Sequence, residues 1–343
     1  MFTALAESMR EAARADQAHI ARPAQGDERD KQEGRVGLSQ TRALGMNKKD
    51  IIKSFIPPIV LQFIRNRRPK SYRRTGYPEW EYVPEGWAYA QSHSEVKGWN
   101  VHEILDVYKR KWPRFLALAE GTGPLGIAHE SELTTNDDLN THNMMMSLAY
   151  ALALASHHMS SLSILDWGGG IGHFYVVAQK VLPDVEIKYH CKDVPLLAEY
   201  GSQLFPDQHF YSDETCLLRK YDFVMASAAF HYAENWKKLL KDLSGAVTSF
   251  LYVANMPSIL TAPSFVFVQR PYAYGYNTQY LGWCLNRNEF LLSAQACGLE
   301  LLREFVTGIK PTILNAPEQN EYRSFLFRSR NRPQRSIDAG GGS

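Results

Sequence analysis

The stretch Ser163-Ile-Leu-Asp-Trp-Gly-Gly-Gly-Ile-Gly-His-Phe174 decides the fold of this 343-residue chain. An apolar run ends at Asp166, four glycines follow within the next six residues, and an apolar pattern then resumes. This order predicts a buried strand that turns tightly into a helix, because glycine tolerates a left-handed backbone and lets a ligand approach closely. A dinucleotide fingerprint, G-x-G-x-x-G, would need a further glycine where His173 or Tyr175 stands. The acid instead suits a ligand that carries an ammonium group.

This motif resembles motif I of the class I S-adenosylmethionine-dependent methyltransferases. The resemblance implies S-adenosylmethionine as the cofactor, with Asp166 positioning its methionine ammonium. It also implies that the turn lies beside the methionine and ribose parts, through Gly168, Gly169, Gly170 and Gly172. A tight strand-to-helix turn that binds no ligand is the alternative.

Strand and helix patterns alternate from residue 161 onward, which is typical of parallel βαβ units. Strands are predicted over 162–167, 185–191, 208–211, 221–227, 248–254, 299–306 and 321–328, with helices around 172–182, 195–204, 235–244 and 286–297. We therefore expect an α/β protein with a Rossmann-like, seven-stranded methyltransferase sheet. The sheet should be mostly parallel with its last strand antiparallel, and an N-terminal helical extension should precede it.

The chain divides into five predicted regions by composition. These are a disordered extension (1–45), a basic amphipathic arm (46–71), a helical lead-in or cap (72–157), the S-adenosylmethionine-binding domain (158–328) and a flexible tail (329–343). Within the lead-in, helices are expected over 101–119 and 140–155. A long aromatic insertion is expected over 256–284, after the fifth predicted strand.

Positive charge is concentrated in one segment. Residues 46–74 hold nine Lys or Arg against one Asp, a local +8, so the remainder of this chain of net charge +2 carries about −6. The main body is therefore not expected to bind nucleic acid. Apolar residues at helical spacing within 47–68 predict peripheral contact with an anionic membrane, and an ordinary packed helix is the alternative. Four cysteines without a C-x-x-C pair, and no export signal, predict a cytoplasmic protein, with the arm at the inner face of the membrane.

Further cofactor contacts are predicted where later strands end. Asp193 lies 21 residues beyond Gly172, where an acid can accept both ribose hydroxyls, and Val194 follows it. By the resemblance, Asp213 meets the adenine amino group and Ser227 lies in the loop beneath the sulfonium. A helix cap is the alternative for Asp193 and a turn for Asp213. That loop continues Ala-Ala-Phe after the serine, without the Pro-Pro of many base-modifying enzymes, which counts against DNA or RNA amino-group methylation.

Methyl transfer needs alignment and, for a hydroxyl acceptor, a proton acceptor. His231 is the candidate base, with packing or a substrate contact as its alternative role. Side chains suited to stacking on a sugar or aromatic ring are Tyr232, Arg270, Tyr272, Tyr274 and Tyr276, whose alternative is loop packing. No His, Cys or Asp cluster has metal-ligand spacing, so no metal is predicted.

Four segments tighten the resemblance: Leu165-Asp-Trp-Gly-Gly-Gly, Tyr189-His-Cys-Lys-Asp-Val-Pro, Gln269-Arg-Pro-Tyr and Ala316-Pro-Glu-Gln. Together they resemble a largely uncharacterised bacterial methyltransferase family associated with surface-polysaccharide biosynthesis. The resemblance implies O-methylation of a small-molecule or lipid-linked saccharide acceptor. The alternatives are N- or C-methylation of another small molecule, a non-catalytic S-adenosylmethionine-binding protein, and a NAD-dependent oxidoreductase, which the glycine spacing disfavours.

Overall fold

The computed structural model describes residues 76–124 and 138–330. The predicted regions 1–45 and 46–71, and almost all of the tail, lie outside the described residues. Within them the strands are β1 (Trp80–Tyr82), β2 (Ser161–Trp167), β3 (Glu186–Lys192), β4 (His209–Tyr211), β5 (Tyr221–Ser227), β6 (Val247–Ile259), β7 (Phe265–Gln269), β8 (Tyr280–Asn286), β9 (Leu299–Val306) and β10 (Glu321–Ser329). The α-helices are α1 (Tyr89–Ser92), α2 (His102–Glu120), α3 (Leu139–Ser156), α4 (His173–Val181), α5 (Pro195–Leu204), α6 (Trp236–Ala246) and α7 (Arg287–Ala296).

Seven of these strands form the predicted sheet, in the order β4-β3-β2-β5-β6-β10-β9. Strands β2 to β6 pair in parallel, and β10 lies antiparallel between β6 and β9. Helix α4 follows β2 and α5 follows β3. Helices α6 and α7 follow β5 and β8, the two strands that pair in parallel with β6. Parallel strands require crossover connections of this kind. The predicted fold class, a Rossmann-like α/β sheet with one antiparallel strand near its end, is confirmed.

The strand order reverses between β2 and β5. From β2 the chain moves outward through β3 to β4, and then returns to β5 on the other side of β2. The loops that follow β2 and β5 therefore lead away from each other, and a crevice lies between them at the carboxyl ends of these two strands. Open α/β sheets bind ligands at this kind of switch point.

The aromatic insertion is not the long loop that the sequence predicts. Strand β6 continues to Ile259, and β7 and β8 follow as an antiparallel pair joined by β1 from the lead-in. Ser258 and Ile259 at the end of β6 pair in parallel with Leu285 and Asn286 of β8, which joins this three-stranded extension to the main sheet. The run Phe-Val-Phe-Val-Gln of β7 is buried on both faces, so it lacks the polar alternation that usually marks a strand.

Two helices of the lead-in cover one face of the sheet. Helix α2 places Ile104, Tyr108 and Phe115 in the main core, and α3 adds Leu148 and Leu152. Asp138 caps α3 by accepting from the Thr141 backbone N–H at 2.9 Å. None of the helices in the described part of the chain combines the length and apolar character that a bilayer crossing would require.

Candidate functional site

The glycine turn after β2 is held close to two neighbouring strands. The Gly168 N–H donates to the Lys192 carbonyl and the Gly170 N–H to Oδ2 of Asp193, each at 2.7 Å. Gly168 has φ +76°, and a Cβ at this position would overlap the Cβ of Ala229 in the loop after β5. Glycine is therefore required here by both backbone conformation and space.

A cavity of about 250 Å³ lies at the carboxyl ends of β2, β3 and β5. Seven predicted residues line it: Gly168, Gly169, Gly170, Asp193, Val194, Ser227 and Tyr232. Gly172 lies behind it as the N-terminal cap of α4, against the ring of Phe205. The structure thus brings most of the predicted cofactor residues to one crevice, at the switch point of the sheet.

Asp193 presents its carboxylate at this cavity while two backbone groups hold it. Oδ1 accepts from the Val194 N–H at 2.6 Å, and Oδ2 accepts from Gly170. Burial raises the pKa of Asp193, and these two hydrogen bonds oppose the rise. The side chain is therefore positioned before any ligand arrives, and its remaining lone pairs are those that could accept ligand hydroxyls.

Asp166 lies beneath the turn and not on the cavity wall. It is fully buried, and its Oδ2 accepts from the Tyr189 hydroxyl at 2.5 Å. Oδ1 has no hydrogen-bond partner among the described residues. Burial raises the pKa of Asp166 to about 7, against the effect of the Tyr189 hydrogen bond. Direct contact with a methionine ammonium stays a prediction for this acid, and its observed contacts are with the underside of the turn.

Ser227 is the last residue of β5 and lines the cavity, and Asn255 of β6 holds its hydroxyl. The Asn255 Nδ2 donates to Ser227 Oγ at 3.1 Å, and the Asn255 N–H donates to Ser324 Oγ at the same distance. Ala228 and Asn255 both have φ +52°, an uncommon conformation for residues with a side chain. Ala228 directly follows β5 and Asn255 lies within the neighbouring β6, so the sheet is held in a specific backbone geometry beside the cavity.

The predicted base, His231, does not reach the cavity. It lies in the short 3-10 helix Phe230–Tyr232, fully buried, with its ring 4.0 Å from that of Tyr232 and 6.3 Å from that of Phe267. Neither ring nitrogen has a hydrogen-bond partner among the described residues. Burial lowers the pKa of His231 to about 3. This position matches the alternative role of His231, which is packing. The side chain that lines the cavity is that of the neighbouring Tyr232.

Asp213 also lies away from the cavity. Its Oδ1 accepts from the Thr215 N–H at 3.0 Å and from the Thr215 hydroxyl, which caps the 3-10 helix Glu214–Leu218. These hydrogen bonds lower the pKa of Asp213. These contacts match the alternative of a turn aspartate, and the adenine contact of Asp213 stays a prediction.

The insertion residues predicted to hold substrate mostly pack within the protein. Arg270 pairs with Glu81 of β1 at 2.8 Å and donates to the Tyr89 hydroxyl. Tyr272 accepts from Gln279 Nε2 at 2.7 Å, and Tyr276 is buried in the main core, as is part of Tyr274. Of all five predicted substrate residues, the one that lines the cavity is Tyr232, which lies outside the insertion and whose hydroxyl donates to Gln269 at 2.8 Å.

Several cavity residues were missed by reasoning from the sequence. Trp99 precedes α2 and stacks on Tyr280 at 4.3 Å between ring centroids. Lys192 lies over the Trp167 ring at 4.6 Å, and both side chains line the cavity. Trp167 stands between the predicted acid and the first glycine, a position that could have been singled out from the motif, whereas Trp99 is joined to the site only by tertiary packing.

Comparison with solved structures finds S-adenosylmethionine-dependent methyltransferases at low sequence identity. A sugar N-methyltransferase from Streptoalloteichus is 11% identical, with a TM-score of 0.40 over 69% of this chain and 96% of that one. Human N-acetylserotonin methyltransferase in complex with S-adenosylmethionine is 16% identical, with a TM-score of 0.37 over 69% of this chain and 73% of that one. Magnesium protoporphyrin IX methyltransferase from Synechocystis, with bound S-adenosylhomocysteine, is 11% identical, with a TM-score of 0.38 over 65% and 97%.

No protein-family model and no curated protein sequence matches the chain.

Proposed function

We propose that this chain is an S-adenosylmethionine-dependent methyltransferase that acts on a small-molecule acceptor. One observation carries the proposal. The glycine turn, the Asp193 carboxylate and the Ser227 loop meet at one cavity at the switch point of the sheet. A nucleoside needs the carboxylate for its hydroxyls and the bare backbone for close approach.

Each residue at the cavity has a distinct part in this proposal. Asp193 holds the ribose hydroxyls, and the turn of Gly168 to Gly170 admits the methionine part. S-adenosylmethionine, when bound, supplies an electrophilic methyl group on a positively charged sulfur. Trp99 and Tyr232 form an aromatic wall that excludes water and aligns the acceptor.

For the acceptor we propose a hydroxyl of a saccharide or related metabolite. Aromatic rings with polar groups beside them suit a ring-shaped polyol, and the cavity has such a wall. N-methylation of an amino-substituted small molecule is the second candidate. The position of His231 favours it, because an amine with a free lone pair needs no strong base in the cavity.

Cofactor binding and transfer are tested in two steps. Calorimetric titration with S-adenosylmethionine and with NAD should give binding of the first alone, and the opposite result would favour an oxidoreductase. Incubation with labelled S-adenosylmethionine and cell-envelope saccharide fractions should then label one pool, and mass spectrometry of the product assigns the methyl group to O or N. Tight binding without label transfer to any fraction would favour a non-catalytic binding protein.

The basic arm supports a separate proposal of peripheral membrane contact through residues 47–68. Residues 46–74 hold nine basic side chains against one acid, a local charge of +8, which suits anionic lipid. Co-sedimentation with phosphatidylglycerol-containing vesicles should fall when residues 46–70 are deleted. Unchanged sedimentation would contradict the proposal.

A further inference from the structure

A second concave surface lies outside the cavity, on the three-stranded extension. This tryptophan groove, of about 810 Å³, is lined by Trp87, Glu234, Lys237, Pro263, Trp283 and Glu289 among others. Neither the cofactor residues nor the acceptor wall described above takes part in it. It is formed where the 3-10 helix Gly86–Ala88, strand β8 and the start of helix α6 meet.

Two tryptophans form the apolar side of the groove. The Trp87 and Trp283 rings have centroids 6.4 Å apart and planes tilted by 49°. Both pack on the buried cluster of Val83, Val266 and Leu281, and both remain partly exposed. Their packing fixes the rings in place, so stacking of a ligand on them would cost little side-chain entropy.

The polar side of the groove is preorganised and nearly neutral. The Glu289 carboxylate accepts from the Ser264 hydroxyl at 2.6 Å and pairs with Lys237 at 2.9 Å. These partners lower the pKa of Glu289, although burial opposes them. One lysine against Glu234 and Glu289 disfavours a phosphate or another anion, and leaves hydrogen bonds as the means of polar recognition.

The indole nitrogens of the two tryptophans are not offered to a ligand. The Trp87 Nε1 is buried and makes no hydrogen bond among the described residues, and the Trp283 Nε1 donates to the Glu234 carbonyl at 3.0 Å. A ligand in the groove would therefore meet the ring faces, through its C–H groups.

The groove begins where the cavity ends. Ala233 lines the cavity, and the next residue, Glu234, lines the groove. Strand β8 likewise serves both, since Tyr280 supports the cavity wall through Trp99 and Trp283 lines the groove. The cavity and the groove are therefore lined by consecutive residues at 233–234 and by the same strand, so the two tryptophans lie next to the cavity along the chain.

We infer that the tryptophan groove binds a saccharide unit of the acceptor next to the unit held in the cavity. The acceptor is then a neutral oligosaccharide chain and not a free monosaccharide. The apolar face of the bound pyranose lies on Trp87 and Trp283, and its hydroxyls meet the carboxylate of Glu289. This inference rests on the proposed function, because it takes the cavity as the methyl-transfer site.

The test is a comparison of glycan binding with cofactor binding in the full chain. The probe is an array of neutral bacterial surface oligosaccharides of two to six units with their monosaccharides. The wild type should bind at least one oligosaccharide about tenfold more tightly than its monosaccharide. The double variant Trp87→Ala/Trp283→Ala should lose that gain and keep its S-adenosylmethionine affinity. Leu218→Ala, which truncates an apolar side chain that is 86% exposed elsewhere, should behave as wild type.

Two results would overturn the inference while the proposed function stands. One is a wild type that binds S-adenosylmethionine but retains no oligosaccharide on the array, and the other is a double variant that retains oligosaccharides as well as wild type. A wild type that does not bind S-adenosylmethionine would instead overturn the proposed function. Should the double variant fail to fold, Glu289→Gln keeps the shape of the side chain and removes the carboxylate that accepts from the ligand hydroxyls. A drop of about threefold or more in oligosaccharide affinity supports the inference, and unchanged affinity contradicts it.

Discussion

The Gly170 N–H donates to Oδ2 of Asp193 across 2.7 Å, so the turn after β2 is fixed by the residue that follows β3. Replacing this acid with Asn keeps its shape but weakens a charge-assisted hydrogen bond and the ribose contact. We expect Asp193→Asn to weaken S-adenosylmethionine binding by about 10- to 100-fold, from roughly 1.5–3 kcal/mol. Isothermal calorimetry measures this, with the exposed acid variant Asp213→Asn as control. Equal losses in both variants would contradict a special role for Asp193.

Gly168→Ala should damage both the turn and the fold. Its φ of +76° and the overlap of an added Cβ with Ala229 leave no strain-free position for the methyl group. We expect a loss of roughly 2 kcal/mol or more in the free energy of unfolding. Gly245→Ala is the matched control, because Gly245 lies in α6 with open space around its Cβ position, and it should be neutral or stabilising. Urea unfolding of the two variants decides the comparison.

Stability should fall as the pH rises through the pKa of Asp166. This acid has a pKa of about 7 in the folded chain against the ordinary 3.8, so between these values the folded state binds the extra proton. The contribution of protonated Asp166 to the free energy of unfolding is complete below pH 4 and is lost as the pH rises through about 7. Asp166→Asn should therefore raise the unfolding free energy at pH 8 by roughly 2 kcal/mol, and have little effect at pH 4. An Asn variant that is destabilised equally at both pH values would argue against a buried, uncompensated carboxylate.

His231→Phe should lose little methyl-transfer activity and gain resistance to acid. The imidazole is buried among aromatic rings outside the cavity, and its pKa is about 3 in the fold against an ordinary 6.5. Below pH 6.5 the unfolded chain takes up a proton that the folded chain refuses, so stability is lost as the pH falls toward 3. Between pH 6.5 and 3, the free energy of unfolding of the variant should fall by about 1 kcal/mol less per pH unit than that of the wild type.

Thermal unfolding between pH 4.5 and 7.5 measures the acid effect, and label transfer measures the activity. Abolished transfer with intact cofactor binding would restore His231 as the base.

The sequence predicted the sheet because its signals are local. The glycine turn, Pro195 at the start of α5 and Gly298 after α7 mark where elements begin and end, and all seven predicted strands lie within a few residues of their observed positions. Gly168 and Asp193 could be placed at one site because the carboxyl ends of adjacent parallel strands must meet.

The aromatic wall of the cavity could not be predicted in the same way. It joins Trp99 from the lead-in to Tyr232 and Tyr280, and no spacing in the sequence relates residues so far apart. The turn of the Phe230–Tyr232 helix decides which side chain faces the cavity, and it favours Tyr232 over its neighbour His231. Arg270 and Tyr272 have the residue types of a sugar site, but their partners are Glu81 and Gln279.

The unusual length of strand β6 lets one strand serve two parts of the sheet. Its residues from Val247 to Ala254 pair with β5 at the cavity, and its last two, Ser258 and Ile259, pair with β8 and so carry the β8-β7-β1 extension. Under the proposed function, donor recognition and acceptor recognition would be encoded in separable blocks of the chain that share one ladder. Exchange of residues 80–99 together with 260–286 between homologues would then give chimeras with a new acceptor range and an inherited donor site.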